Sequence, residues 1–367
     1  MNIVTSSTIG ELDDWDALAL GRSFYSSAAW LTYVDGDGVN PPRYAMATDG
    51  TGKAVAAVIR HESKLENHGL YKPSRMLPGE PDIFYTLGGR RGFHSDVLVS
   101  TPAHVTSSLP SLLSDAVEDR TWWWPYLTAD DAERVAAAAS GPLGLHLVDA
   151  ECILRVDGRS VEEIIADQPS RGRRRMMRHE RGRFRRTGMT ITQRRLSECW
   201  REIDPLIDAV VRKYGTEVAE ADRLASLQRH VEALDHTAVV FQCRDGDDVV
   251  GISVGFRFGA ELAIRMVGFD YERLAGSGDE YTQVLVYAPM AYCGDNGLDS
   301  LNLGAEAYPA KCRRGASPVP MWAVGHGFET RPDAIAAKAA EIASDMPATE
   351  AGSFTAEVDA VIARWIS

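Results

Sequence analysis

The stretch Leu301–Trp322, LNLGAEAYPAKCRRGASPVPMW, sets an acid, a phenol and two cations around Gly and Pro. Glu306, Tyr308, Lys311 and Arg314 can between them donate, accept and stabilise charge. Loops that leave the end of a strand commonly carry such groups. A second constellation is RGRRRMMRHERGRFRR, Arg171–Arg186, with nine Arg and one Glu. On a helical wheel Arg174, Arg178, Arg181 and Arg185 form one stripe, and Met177 and Phe184 form another suited to docking. Four guanidinium groups on one face match phosphates spaced along a nucleic-acid backbone or in a nucleotide diphosphate. A third is Arg273-Leu-Ala-Gly276-Ser-Gly278, between a strong strand and a helix, where backbone amides can hold an anion. Asp279 and Glu280 follow on the first helical turn, where they already answer the helix dipole and would repel that anion.

Other matches carry less. GISVG at Gly251–Gly255 fits the GxSxG pattern of serine hydrolases, but Ser253 sits inside a continuous apolar strand with no helix after it. In GGRRGFHSD, His94 and Asp96 with Arg90 and Arg91 are candidates either to line a cleft or to sit on an exposed loop. Trp122–Trp124 alternates across a strand and reads as core or domain interface.

These residues need elements to place them. The first half reads as a helix over Ile9–Leu20, an amphipathic FYSSAAWLTYV helix, and a hairpin of Tyr44–Thr48 with Lys53–His61 about the turn Asp49-Gly50-Thr51-Gly52. A Gly/Pro-rich stretch, a helix over Val105–Asp119, the strand Trp122–Leu127 and a helix over Asp130–Ala139 follow. The second half reads as a strand over Glu151–Val156, a short helix, the arginine-rich helix and a strand at Met189–Thr192. A long helix over Ser197–Tyr214 comes next, then three meander strands (Ala238–Arg244, Val249–Phe258, Leu262–Phe269). A helix over Tyr281–Gly294, a strand at Ser300–Leu303 and a helical tail from Pro332 complete it. The expected class is α+β, one plan built twice, with mixed or antiparallel sheets flanked by helices. The expected divisions are 1–149, 150–330 and a helical tail 331–367.

The chain has 367 residues and a net charge of −13, enough length for two domains. The basic stretch carries a net +8, which leaves −21 on the rest. An acidic body argues against non-specific coating of nucleic acid or anionic membrane and confines any phosphate-bearing partner to one face. Cys152, Cys199, Cys243, Cys293 and Cys312 are scattered, which suits a reduced cytoplasm and neither a disulfide framework nor a zinc site. The start, MNIVTSSTIGELDDWD, lacks the features of a signal peptide, and no run approaches the ~18 apolar residues of a membrane span. The reading is a soluble, cytoplasmic protein with no metal and no tightly bound cofactor.

In order along the chain, FYSSAAWL, LGGRRGFHSD, RRRMMRHERGRF, KYG (Lys213, Tyr214, Gly215), GFDY, EY (Glu280, Tyr281) and LGAEAYPAKCRRG resemble the Fem-like, tandem GNAT acyltransferases of the BioF2-like type. The last is similar to that family's G-x-x-x-Y-x-x-K-x-x-RG signature, and RxxGxG to the GNAT pyrophosphate loop. The resemblance implies two GNAT-like domains facing one another across a cleft. It further implies transfer of an amino acid from aminoacyl-tRNA, or of an acyl group from CoA, to an amine, with Lys311 near the reacting carbonyl. The chain lacks the long coiled-coil insertion of the peptidoglycan-building members, which favours a small-molecule or natural-product amine as acceptor. Such an enzyme must orient the amine, remove its proton and stabilise the oxyanion. Lys311 and Arg314 are the oxyanion candidates, and Glu306, Tyr308 or Asp270 the proton acceptors, with Tyr281 and Glu280 nearby in the same cleft. Arg174, Arg178, Arg181, Arg185, Lys213, Tyr214, His94, Arg273, Gly276 and Gly278 are the substrate- and phosphate-binding candidates. The acidic first turn tips the donor towards tRNA; acyl-CoA remains the alternative, as does a silent GNAT-fold module that binds nucleotide or nucleic acid.

Overall fold

The computed structural model describes residues 2–366 apart from 37, 67, 80, 216 and 275–278. Its strands are β1 Asn2–Ser6, β2 Arg43–Thr48, β3 Ala54–Glu62, β4 Tyr85–Leu87, β5 Leu98–Val99, β6 Trp122–Leu127 and β7 Gly144–Arg155. They continue as β8 Thr190–Arg194, β9 Ala238–Asp245, β10 Asp248–Phe258, β11 Glu261–Phe269, β12 Ser300–Asn302 and β13 Ser317–His326. Contacts divide the chain into Met1–Glu151 with Pro318–Ser367, and Cys152–Ser317.

In the first unit the strand order is β1-β2-β3-β4-β6-β13, with β5 paired on β3. Neighbours run antiparallel except β4 and β6, which are parallel. The β2–β3 hairpin forms as its turn residues require. Asp49 accepts from the Thr51 and Lys53 amides at 2.8 and 3.1 Å, and Gly52 takes φ +86°. Trp122, Trp123 and Trp124 are all within 2% of full burial, so the run is core. The helices Pro332–Ala343 and Ala348–Ile366 pack together in this unit, to which β13 returns the chain.

In the second unit the order runs β12-β11-β10-β9-β8, with the end of β7 on the far side of β12. Again one pair, β11 with β12, is parallel, and it lasts only from Glu261 to Ala263. Beyond it β10 and β11 lose register around Val254 and Gly255, leaving Arg265 as a bulge, and β11 runs on to Phe269 without β12. The chain leaving β12 turns away into the Gly304–Gly315 loop. The acid, phenol and cations of that loop therefore stand at the end of a sheet, as expected.

Several elements differ from the sequence reading. Ile9–Leu20 is a 3₁₀ turn (Ile9–Glu11) and a short helix (Trp15–Ala19), broken where Asp14 takes φ 64°. β7 begins at Gly144, well before Glu151, and an added Cβ on Gly144 would lie 2.3 Å from the Phe328 carbonyl oxygen. Pro318 and Pro320 disguise β13, whose register with β6 covers only Trp322–His326, where prolines are absent. The helix Glu220–Leu234 lacks a side-chain cap to announce it.

Candidate functional site

The helix Arg171–Thr187 starts where Ser170 accepts from the Arg173 amide and stops at Gly188 with φ +78°. Its buried side is Met177, Glu180 and Phe184. Glu180, the single acid among nine arginines, is the residue sequence reasoning passed over. Its carboxylate accepts both Arg314 Nε (3.1 Å) and Nη2 (2.7 Å) and the Tyr287 hydroxyl (2.7 Å). Its place at i+3 from Met177 and i−4 from Phe184 was the available signal. Burial, with the Glu180 carboxylate beside it, drives the Tyr287 phenol well above its ordinary range, so it stays protonated and donates. This triad joins the arginine helix to the π-helical turn Gln283–Tyr287 and to the loop after the helix Tyr308–Cys312. Arg314 thus pairs with Glu180 and donates to the Ala310 carbonyl.

The loop itself is wound tightly. Gly304, Glu306 and Ala307 all have positive φ (70°, 63° and 47°), and Asn302 accepts from the Gly304 amide. Lys311 is 4% exposed, and its Nζ donates to the carbonyls of Gly304 (3.0 Å) and Ala305 (2.6 Å). Two non-glycine residues in the left-handed region are backbone strain of the kind that gathers at functional loops. Gly315 has φ +98°, and a Cβ there would sit 2.5 Å from the Gln168 amide. Glu306 is exposed and has no ion pair among the described residues, while Tyr308 is half-buried against the same core cluster as Tyr281 and Tyr287.

Tyr281 packs on Phe269 with ring centroids 5.3 Å apart, and Phe269 meets Tyr271 at 6.2 Å. Burial, reinforced by Tyr214, pushes the Tyr281 phenol up to about 12, so it is a donor rather than a base. Lys213 Nζ lies 4.3 Å over the Tyr271 ring, and Tyr214 is 73% exposed beside it. Asp270 Oδ1 accepts from the Glu272 and Arg273 amides, which makes it a turn cap. Arg273 pairs with Asp248 at 2.5 Å and reaches Asp270 at 3.8 Å. Gly276 and Gly278 lie outside the described residues.

The arginine stripe is redistributed. Arg174 donates to the Gln168 carbonyl, Arg181 pairs with Glu162, and Arg183, absent from the expected stripe, pairs with Asp279 at 2.7 Å. Arg178 stays exposed, 3.9 Å from Glu162. The outward face is therefore Arg171, Arg175, Arg178, Arg185 and Arg186, all exposed. Ser253, in the GxSxG match, is fully buried and donates to the Val284 carbonyl of the π-turn, so its role is structural.

His94 belongs to the first unit. Its Nδ1 is 2.7 Å from Glu151 and its Nε2 3.5 Å from Asp96, and Asp96 also accepts from Ser23 and Ser26. Burial opposes the imidazolium, but Glu151 and Asp96 outweigh it and raise the His94 pKa well above the usual value. Burial likewise opposes the Asp96 carboxylate, and His94 with the two serines holds its pKa well below the usual value. A raised pKa stabilises the fold fully below pH ~6.5 and loses that contribution as pH rises through the folded value. Thermal melts of the wild type should therefore lose Tm on the alkaline side. His94→Gln should lower Tm at pH 6 and flatten that limb; an unchanged limb would remove His94 from the account.

Residues 171–311, which run from the arginine helix to Lys311, match the model of the acetyltransferase (GNAT) domain. The chain carries a GNAT acyltransferase domain. Among solved structures it is similar to FemX, at TM-score 0.61 and 11% identity over 89% of this chain and 98% of that one. It is also similar to a conserved protein of unknown function from Bacteroides thetaiotaomicron (0.58, 12%, covering 88% and 99%). The C-terminal domain of a putative lysylphosphatidylglycerol synthetase from Agrobacterium fabrum gives 0.55 at 13%, covering 91% and 96%. At these identities the shared property is the fold, and it is the Fem-like one that the sequence motifs implied. No curated protein matches the sequence. No helix among the described residues is long and apolar enough to cross a membrane.

Proposed function

We propose that this acyltransferase moves an aminoacyl group from aminoacyl-tRNA to the primary amine of a small-molecule acceptor. The observation that carries the reading is the outward face of the arginine helix. Arg171, Arg175, Arg185 and Arg186 make no ion pair among the described residues, in a chain of net charge −13. Seventeen residues of helix span about 25 Å, a length suited to several phosphates of one nucleic-acid backbone. An acidic chain that leaves so many arginines unneutralised on one face repels a polyanion everywhere else.

In the reaction the acceptor nitrogen bonds to the ester carbon, the ester C–O bond to the ribose breaks, and the proton that nitrogen loses passes by way of Glu306 to the leaving ribose oxygen. Lys311 supplies positive charge at the loop beyond β12, held by two backbone carbonyls, where an oxyanion would form. The Tyr281 phenol, protonated at neutral pH, is a second donor. Glu306, exposed and unpaired, takes the proton.

The arginine face predicts how binding responds to salt. Five phosphate contacts give a slope of log K against log[salt] of about −3.5 to −4.5. Filter binding or anisotropy with tRNA from 50 to 300 mM salt reads it, and the five-fold Arg→Ser variant should flatten the slope and abolish binding. A slope near zero in the wild type would remove tRNA from the reading. The acetyltransferase character of the matched domain favours a second reading, in which acyl-CoA is the donor. A non-catalytic module would bind nucleic acid and give no product with either donor.

A further inference from the structure

The helical turn Asp279–Thr282, with the π-turn that continues it, carries three side chains that the mechanism above does not use. Glu280 is fully buried, and neither carboxyl oxygen has a hydrogen-bond partner among the described residues. Gln283 is 7% exposed, and its side-chain amide nitrogen has none either. Asp279 is 2% exposed; Oδ1 takes Arg183, while Oδ2 is unpartnered. Residues three and four apart share a helix face, so Gln283 lies over both acids. Buried polar groups are almost always paired, and an unpaired buried carboxylate is among the most costly groups a fold can hold. Two acids and an amide on one face, without partners among the described residues, mark a place that suits a partner from outside the chain.

The chemistry of that partner follows from what is missing. Two carboxyl oxygens without a donor ask for a cation with several N–H groups. An amide nitrogen without an acceptor, one turn away, asks for a carbonyl oxygen. The surroundings are apolar and aromatic: Phe184, Val250, Phe269 and Val284, with Tyr281 and Leu274 packed against them. Cys243 lies close enough to feel Glu280; burial first, and then that carboxylate, push its thiol up to about 12. The π-turn Gln283–Tyr287 is a second mark, since such turns recur at functional sites. No group of three metal-ligating side chains exists among the described residues, which leaves an ammonium as the better-fitting cation.

We infer that Glu280 and Gln283 recognise an α-aminoacyl group, Glu280 taking its ammonium and Gln283 donating to its carbonyl. This rests on the proposed donor only in naming which substrate brings that group; the recognition chemistry stands on the unpaired atoms. Glu280 is a specificity residue here.

The test uses the full chain and a panel of L-amino acid methyl esters, each with its N-acetylated counterpart, which lacks the ammonium. Calorimetry or ligand-observed NMR should show the wild type binding at least one ester ten-fold or more tightly than its N-acetyl form. Glu280→Gln should erase that preference, and Gln283→Leu should weaken both forms equally. A melt of Glu280→Gln at or above the wild-type Tm is expected, because a neutral amide costs less to bury. Equal binding of the two forms by the wild type, a preference kept by Glu280→Gln, or no binding by any ester would each overturn the inference. So would stabilisation by Mg²⁺ or Ca²⁺ that Glu280→Gln removes. Discrimination between esters without product from any aminoacyl-tRNA would leave the recognition standing and sink the tRNA donor.

Discussion

Glu180→Ala is expected to cost about 3–5 kcal/mol of unfolding free energy, the range for stranding one partner of a buried ion pair. Arg314 has 10% and Glu180 9% of side-chain surface exposed, so water cannot replace the lost carboxylate. Tyr287 loses its acceptor in the same change, and its hydroxyl has no second acceptor among the described residues. Three elements then part at one point: the arginine helix, the π-turn and the segment after Lys311. Urea unfolding followed by circular dichroism reads the effect. Glu180→Gln, which keeps an acceptor for Tyr287, should cost less than the alanine. The double variant Glu180→Leu/Arg314→Met should cost less than Glu180→Ala alone, because it leaves no orphaned charge. A loss below about 1 kcal/mol for Glu180→Ala would show that the triad does not hold the site.

Lys311→Ala is expected to lower kcat by about 10²–10³, the usual effect of removing one group aimed at a developing oxyanion. The substitution also frees the Gly304 and Ala305 carbonyls, so part of the loss is looseness of the loop. Two readouts separate the parts. A positioning role raises KM and lowers kcat together, with a lower Tm. Charge stabilisation lowers kcat with KM nearly constant. Lys311→Arg should not restore turnover, because the larger guanidinium does not fit a slot that is 4% exposed. Turnover within two-fold of wild type for Lys311→Ala would move the catalytic charge elsewhere.

What the sequence disclosed and what it hid have physical reasons. The arginine helix was legible because its Met177 and Phe184 stripe and its Gly188 stop are local signals. The loop after β12 was legible because Gly304, Tyr308, Lys311 and Gly315 keep a spaced signature. Which arginines face outward was not, since Glu162 and Gln168, which hold Arg181 and Arg174, lie on or after a different helix. That Asp270 also caps its own turn was hidden, because a lone acid after a strand gives no sign of it. Glu280 reads from the sequence as an acid that answers the helix dipole and would repel an anion. Only burial reveals that this one is fully enclosed without a partner. Pair formation over long sequence separation, such as the 134 residues between Glu180 and Arg314, is what a single sequence conceals most completely.

The central claim is that a GNAT-fold acyltransferase with this arginine face draws on charged tRNA. The most direct measurement is mass spectrometry of the purified chain incubated with a panel of primary amines. One set receives bulk aminoacyl-tRNA and another acetyl- and longer acyl-CoA. The account predicts an aminoacylated amine in the tRNA set alone, lost when ribonuclease is added first and lost again in the five-arginine variant. Product from acyl-CoA alone, insensitive to ribonuclease, would contradict it.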